Sequence, residues 1–159
     1  MVEVGPRLIV GDLNACRARI GADAVVHACK HPCHQRSVGY TGNLPASHPE
    51  YLVAQREHDL YANLVDMDRP LDHRFTGPIM AAALDFIEGH DRAGRPVLVH
   101  CNEGRSRAPT VAMLYLAKRA GALPDDHLEA AEEFRQRYPA YAPGPGVRAY
   151  LARHWHDIN

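Results

Sequence analysis

Short apolar runs alternate with amphipathic stretches along most of this 159-residue chain. Runs of four or five apolar residues are typical of buried strands, whereas apolar residues spaced three and four positions apart predict helices. These patterns predict strands at 7–10, 24–28, 60–65 and 96–100, and helices over 78–90, 108 to about 120, 124–138 and 147–156. Such alternation predicts an α/β fold: a mostly parallel central sheet of about four to five strands, flanked by helices on both faces.

The segment between the second and third predicted strands is different in character. Residues 32–50 contain several glycines and prolines, which interrupt regular helices and strands. We therefore expect an exposed loop over 32–50, with 51–57 as a candidate helix. No repeat, low-complexity tract or linker interrupts the chain, so we predict a single catalytic domain over residues 1–159.

Composition narrows the class of protein and its expected partners. Hydrophobic residues make up 46% of the chain and charged residues 23%, which is typical of globular proteins. A net charge of −1 argues against nucleic acid or an anionic membrane as a partner. No apolar stretch is long enough to span a bilayer, and no secretory signal is visible. The four cysteines lack the spacing of a disulfide framework, so we expect a cytoplasmic protein; the oligomeric state stays open.

The run VLVHCNEGRSR at 97–107 carries the clearest chemistry in the sequence. It predicts a strand, a glycine-bearing loop and the start of a helix, whose backbone N–H groups and positive dipole end attract anions. Cys101 begins this loop, and Arg107 follows six positions later with a planar donor group that matches two phosphate oxygens. The amides and the guanidinium also favour a thiolate. Gly104 permits backbone angles that let the amides converge on one point. The pattern predicts a cysteine nucleophile beneath a phosphate-binding loop.

The loop contains the pattern His100-Cys101-x-x-Gly104-x-x-Arg107. This pattern resembles the signature of the cysteine-dependent protein tyrosine phosphatases. The longer string over 100–110 most resembles the dual-specificity branch. The resemblance implies a hydrolase in which Cys101 attacks the phosphate ester, Arg107 binds the phosphoryl group and an upstream aspartate protonates the leaving oxygen. A phosphocysteine intermediate would then be hydrolysed without a metal or other cofactor. The expected phosphate-binding residues are Asn102, Glu103, Gly104, Arg105, Ser106 and Arg107, and His100 is expected to orient the loop through hydrogen bonds.

Two aspartates compete for the role of general acid, which a poor leaving group requires. The alternation of apolar and polar residues from Leu60 onward brings Asp66 to the end of the predicted strand, where the family places its acid. Asp68 could serve instead if the strand ends later. We rank Asp66 first, Asp68 second and Asp72, further along the loop, third.

One departure from the family pattern bears on turnover. The family usually has Ser or Thr after the signature arginine, and its hydroxyl helps the cysteine to leave as a thiolate; this chain has Ala108. The loss predicts a fast first step and slow breakdown of the intermediate. A phosphate-binding module with slow or no turnover is therefore an alternative function. A sulfur transferase is less favoured, because the six-residue step from Cys101 to Arg107 suits phosphate.

The expected substrate is a phosphorylated protein or a small aryl phosphate. Glu103 and Arg105, at the variable positions of the loop, nearly cancel in charge, whereas relatives that act on phosphoinositides tend to add basic residues there. Phosphotyrosine is the favoured group, with phosphoserine and phosphothreonine open as further substrates. A non-protein phosphoester such as a phosphoinositide stays an alternative.

A second segment, 27–34, offers five potential zinc ligands within eight residues: His27, Cys29, His31, Cys33 and His34. Structural zinc sites usually pair two distant groups of ligands, and no second group follows in this sequence. We therefore expect no metal site and interpret the segment as part of the rim around the loop. A reversible disulfide between Cys101 and either Cys29 or Cys33 is a further hypothesis, since the segment leaves a parallel strand near the loop.

Overall fold

The computed structural model describes residues 1–19 and 21–159. Six strands form one sheet in the order β1-β2-β6-β3-β5-β4. The strands are β1 (Val2–Gly5), β2 (Leu8–Gly11), β3 (Ala24–His27), β4 (Val53–Gln55), β5 (Asp59–Ala62) and β6 (Val97–His100). The four central strands β2, β6, β3 and β5 run parallel, while β1 and β4 pair antiparallel at the two edges. The predicted α/β fold with a mostly parallel sheet is confirmed. The sheet has six strands, one more than the four to five that the sequence predicts.

Helices cover both faces of this sheet. They are α1 (Leu13–Ala18), α2 (Gln35–Val38), α3 (His73–Arg92), α4 (Arg107–Lys118), α5 (His127–Arg137) and α6 (Pro145–His154). A further helical turn, Lys30–His34, leads directly into α2, and a 3₁₀ turn, Trp155–Asp157, follows α6. On one face Ala15 of α1 packs with Val25 and Leu98 in a small apolar cluster. The larger core lies on the other face, where α3 and α4 cover the sheet.

The segment between β3 and β5 differs from the sequence prediction. The candidate helix over 51–57 is wrong, because Val53–Gln55 forms the edge strand β4 and pairs antiparallel with β5. Ala54 is fully buried between two more exposed neighbours, which is the period-two pattern of a strand. The expected loop over 32–50 also contains α2. A strand of three residues is too short to show its alternation in the sequence.

Helix α3 begins five residues earlier than its pattern of apolar positions predicts. The Asp72 carboxylate accepts a hydrogen bond from the Arg74 backbone N–H and caps the helix, which then starts at His73. Pro78 therefore lies inside the helix rather than at its start. This role removes the third-ranked aspartate from the set of candidate acids.

Strand β6 and helix α4 form the centre of the fold. All four residues of β6 are buried, and so is every residue of α4 from Ala108 to Ala117. The loop between them leaves the carboxyl end of a central parallel strand, which is where ligands bind in sheets of this kind. No helix in the described part of the chain is long and apolar enough to cross a membrane.

Candidate active site

Residues 101–106 form the loop between β6 and α4, and Gly104 determines its shape. Gly104 has a φ of 72°, in the left-handed region that favours glycine. A Cβ at this position would lie 3.1 Å from both the Gly11 carbonyl oxygen and the Tyr138 hydroxyl. The Tyr138 hydroxyl donates a hydrogen bond of 2.6 Å to the Gly104 carbonyl. The loop therefore requires glycine here for its backbone angle and for close packing.

Segments on both sides of the loop hold its backbone in place. The Leu13 N–H, at the start of α1, donates to the Asn102 carbonyl at 3.2 Å. From the opposite side the Ala142 N–H donates to the Arg105 carbonyl at 2.8 Å. These bonds, together with one from the Cys101 N–H to the Gly11 carbonyl at 3.4 Å, hold the loop backbone in place.

Arg107 is half-buried, and two of its three guanidinium nitrogens donate to neighbouring residues. Its Nη1 donates to the Leu64 carbonyl at 3.0 Å, and its Nη2 donates to Asn102 Oδ1 at 2.8 Å. Asn102 is held in turn by a bond from its Nδ2 to the His31 carbonyl. Among the buried side-chain nitrogens and oxygens of residues 1–19 and 21–159, the Arg107 Nε alone has no hydrogen-bond partner. An unsatisfied buried donor costs about 1–3 kcal/mol, which an anion in the pocket would recover.

One pocket of about 210 Å³ is lined by most of the residues predicted to form the site, although Gly104 is not among them. Cys101, only 2% exposed, lies in it. The other lining residues are Asp66, Asn102, Glu103, Arg105, Ser106 and Arg107. Asp68 lines a separate pocket formed only by residues 66–69. The structure thus brings Asp66 together with the cysteine and the loop, and places Asp68 outside that pocket.

Asp66 reaches the pocket through packing against the start of α6. A Cβ on Gly144 would lie 2.4 Å from Asp66 Oδ1, so only glycine lets the carboxylate approach this closely. The Gly144 N–H also donates to the Ser106 hydroxyl oxygen at 2.9 Å. The same glycine therefore connects the segment of Asp66 with the loop of residues 101–106. Strand β5 ends at Ala62, so strand alternation does not place Asp66 as the sequence analysis assumed.

His100 adjoins the nucleophile and is fully buried. Its Nδ1 donates to the Cys101 carbonyl at 3.2 Å, while its Nε2 lies 2.7 Å from His27 Nδ1. Strands β6 and β3 pair these two histidines in register. Two sulfurs adjoin them: Cys16 Sγ lies 3.5 Å from His27 Nδ1, and Cys33 Sγ lies 3.8 Å from His100 Nε2. We call Cys16, His27, Cys33 and His100 the Cys/His cluster.

The Cys/His cluster perturbs the titration of its own members. A hydrogen bond from Cys33 lowers the pKa of the Cys16 thiol, although burial acts in the opposite direction. Burial by itself lowers the pKa of His100, but the hydrogen bond of Cys16 and the charges of Cys29 and Cys16 together outweigh it, so that the His100 pKa is raised. The hydrogen bonds to the neighbouring sulfurs raise the pKa of Cys33. The members of the cluster therefore influence one another's ionisation, a property that the sequence analysis missed.

The remaining histidines of the 27–34 segment point elsewhere. The His34 ring bonds the Tyr40 hydroxyl and the Glu50 carbonyl, and the His31 ring bonds the Gln35 side chain. Two of the five potential ligands of this segment, His27 and Cys33, join the Cys/His cluster. The other two members come from α1 and β6, and the histidine that ends each of the apolar runs 24–27 and 97–100 is the sequence signal that pointed toward the cluster.

Comparison with known proteins agrees with this geometry. A sequence model of the dual specificity phosphatase catalytic domain matches residues 23–154, most of the chain. The chain belongs to the dual specificity phosphatase family. The resemblance that the loop signature indicated is therefore confirmed. Two curated relatives of this phosphatase-family chain are dual specificity protein phosphatase 5 of Rattus norvegicus and dual specificity protein phosphatase PHS1 of Arabidopsis thaliana.

These relatives are much longer proteins. The rat phosphatase is 37% identical over 76 residues, which are 48% of this chain and 19% of the relative. The Arabidopsis protein is 53% identical over 38 residues, which are 24% of this chain and 4% of the relative. This chain therefore matches about a fifth or less of the length of these two relatives.

Solved structures share the fold along almost the whole chain. Human DUSP28 superposes with a TM-score of 0.63 at 23% identity, covering 99% of this chain and 96% of its own. A human tyrosine phosphatase-like serine/threonine/tyrosine-interacting protein superposes with a TM-score of 0.68 at 19% identity, with the same coverage. At these identities the likeness shows a common fold.

Proposed function

We propose that this chain is a cysteine-based protein phosphatase that hydrolyses phosphotyrosine, with phosphoserine and phosphothreonine as further substrates. No metal takes part in the chemical steps. The observation that carries the proposal is the 210 Å³ pocket, in which a nucleophile, an unpaired guanidinium donor and an acid line one space. Membership of the dual specificity phosphatase family supports it.

In the first step the Cys101 thiolate attacks the phosphorus atom. A sulfur–phosphorus bond forms as the bond to the leaving oxygen breaks, and Asp66 transfers its proton to that oxygen. Arg107 binds two of the phosphoryl oxygens through its Nε–H and one terminal N–H. The loop amides stabilise the negative charge that these oxygens carry in the transition state.

In the second step water replaces the cysteine. Asp66, now ionised, removes a proton from a water molecule, whose oxygen attacks the phosphocysteine. The sulfur–phosphorus bond breaks, inorganic phosphate is released and the thiolate is restored. Ala108, fully buried after Arg107, supplies no hydroxyl to stabilise the departing sulfur. This step therefore limits turnover in our account.

A larger groove beside the catalytic pocket supports a phosphopeptide as the substrate. It has a volume of about 860 Å³ and shares Asn102 with the catalytic pocket. The described residues that line it include Arg17, Arg36 and His31, and none of the lining residues is acidic. A basic groove favours acidic residues next to the phosphorylated side chain. A small aryl phosphate would leave this groove unused.

The decisive experiment combines turnover with trapping of the intermediate. The full chain is given ³²P-labelled acidic phosphotyrosine peptide and, separately, an aryl phosphate and a phosphoinositide. We expect phosphate release that vanadate inhibits, and acid-quenched protein labelled on Cys101, with the peptide turned over most efficiently. Absence of both label and released phosphate would overturn the proposal; preference for the phosphoinositide would overturn the substrate class.

A second candidate function is phosphate binding with little turnover, and Ala108 is the observation that favours it. In that case the labelled Cys101 would accumulate to about one per chain with no release afterwards. The trapping experiment distinguishes the two functions directly.

We further propose that residues 1–159 act as a single catalytic domain in the cytoplasm. The four cysteines are all free, and a reducing compartment keeps such thiols available for catalysis. Partial proteolysis and cell fractionation test these two points.

A further inference from the structure

We infer that the Cys/His cluster binds one structural zinc ion directly behind the catalytic loop. Its four side chains come from four places in the chain: α1, the end of β3, the turn before α2 and the end of β6. Each offers one ligand atom, and these four atoms all lie within 4.8 Å of one another. Two sulfurs and two imidazole nitrogens are a ligand set that zinc commonly takes in structural sites.

The distances agree with a tetrahedral zinc site. Zinc bonds of about 2.3 Å to sulfur and about 2.0–2.1 Å to nitrogen imply sulfur–nitrogen separations of about 3.6 Å and a nitrogen–nitrogen separation of about 3.3 Å. Cys16 Sγ lies 3.5 Å from His27 Nδ1, and Cys33 Sγ lies 3.8 Å from His100 Nε2. The two imidazole nitrogens, 2.7 Å apart, need to separate by about 0.6 Å, a small rotation of the rings.

The outer nitrogens of both rings decide which atoms face the centre. His27 Nε2 lies 2.8 Å from the Asp59 carboxylate, and His100 Nδ1 lies 3.2 Å from the Cys101 carbonyl. Carboxylate and carbonyl oxygens accept hydrogen bonds, so each outer nitrogen carries its proton. If both rings are neutral, their inner nitrogens point lone pairs at each other across 2.7 Å. A proton or a metal cation must then lie between them, and a zinc ion would bind both sulfurs as well.

The partners of the histidines are those of a metal site. Metal-bound histidines usually donate their other N–H to a carboxylate or a carbonyl, which fixes the ring. The Asp59 carboxylate accepts such a hydrogen bond from His27, and it accepts another from Arg19 Nη1 at 3.0 Å. His27 also stacks on Tyr61 with ring centroids 4.2 Å apart. Both rings are thus held in orientations that direct a lone pair at the centre.

The ligand set points to a structural rather than a catalytic metal. Four protein ligands complete a tetrahedron and leave no position for water or substrate. Cys33, His27 and His100 are buried, which protects the ion from exchange. The ion would fix His100, whose Nδ1 bonds the carbonyl of the nucleophile, so metal binding would hold the catalytic loop in position. The site departs from our expectation of no metal because Cys16 and His100 lie far from the 27–34 segment in sequence.

The first test measures metal content and ligand type in the wild-type chain. The full chain is purified without chelators, and its zinc is quantified by mass spectrometry; we expect about one ion per chain. Cobalt(II) added to the metal-free chain should give the visible bands of a tetrahedral site and thiolate-to-metal charge-transfer absorption. A folded chain that takes up no zinc, or a cobalt spectrum without thiolate bands, would overturn the inference. So would a Cys16–Cys33 disulfide in the chain as purified under reducing conditions.

Variants then assign the ligands, with circular dichroism to check folding. Cys33→Ser should lose zinc, while Cys29→Ser, a cysteine of the same segment outside the cluster, should retain it. Asp59→Asn leaves all four ligands in place and should weaken zinc binding by about 10- to 100-fold. Unchanged affinity in both Cys33→Ser and Asp59→Asn would overturn the assignment. Since zinc content is measured without substrate, these results are independent of the proposed phosphatase activity.

Discussion

The catalytic pocket and the Cys/His cluster begin at consecutive residues, Cys101 and His100, yet their chemistry is opposite. In the pocket Cys101 lies in the same space as Arg107, whose Nε–H has no partner among the described residues. In the cluster two sulfurs and two imidazole nitrogens meet, and the ring protons are directed outward. The first arrangement suits a phosphate anion and the second suits a metal cation.

The two faces of the sheet explain how adjacent residues can serve such different sites. Successive side chains along a strand point to opposite faces. Leu98 packs beside α1, and His100, two residues later, meets Cys16 of the same helix. Cys101 belongs instead to the large core on the other face. One strand end therefore supplies both sites, and each can be changed separately by mutation.

The largest expected effect separates the two sites at once. Cys101→Ser removes the nucleophile, so phosphatase activity should fall by about four orders of magnitude. Zinc content should stay at about one per chain, because the cluster lies on the other face. Activity is measured with an aryl phosphate and zinc by mass spectrometry; a substantial residual turnover would contradict the assignment of the nucleophile.

The acid gives the next largest effect. Asp66→Asn should lower kcat by about 10²- to 10⁴-fold on a phosphopeptide, whose leaving oxygen needs a proton. Asp68→Asn is the matched control and should change kcat by less than about threefold, since its side chain lines a different pocket. Asp66→Asn should lower kcat less on an aryl phosphate with a good leaving group, because that leaving oxygen needs no proton. The reverse order of the two variants would assign the acid to Asp68.

These two aspartates also show what the sequence can and cannot predict. The loop signature identified Cys101 and Arg107, because the residues of an anion-binding loop are contiguous in sequence. Asp66 was chosen through strand alternation, but β5 ends too early for that reason to hold. Its place depends on Gly144, far along the chain, whose lack of a side chain admits the carboxylate. Contacts of this kind follow from tertiary packing alone.

The Cys/His cluster escaped the sequence analysis for a similar reason. The parallel sheet was predictable from its apolar runs, but the strand order was not, and only that order pairs His27 with His100. Cys16 lies in α1, a helix of six residues with little periodic pattern. The short edge strand β4 was missed because three residues carry too few positions to distinguish strand from helix.

A smaller effect is expected from the basic groove. Exchanging both Arg17 and Arg36 for Glu should raise KM for an acidic phosphopeptide by about tenfold, because two attractive charges become repulsive. KM for an aryl phosphate should change little. Arg153→Glu alters the charge of an exposed residue outside this groove and serves as the control. An equal loss on both substrates would show that the groove does not select peptides.

The smallest effect is an increase. Ala108→Ser restores a hydroxyl after Arg107 and should raise steady-state turnover by a few-fold, because breakdown of the phosphocysteine limits the rate. Rapid-quench kinetics should show a burst of product in the wild type and a smaller burst in the variant. Linear product formation from the first turnover in both proteins would contradict the assigned role of Ala108.

The central claim is that Cys101 attacks the phosphorus atom of a phosphate group that the loop N–H groups and Arg107 bind. The most direct measurement is the rate of Cys101 alkylation by iodoacetamide, followed peptide by peptide so that the other three cysteines are resolved. We expect that arsenate or phosphate slows the alkylation of Cys101, because either anion would occupy the pocket that Cys101 lines. A Cys101 alkylation rate that neither anion slows would contradict the account.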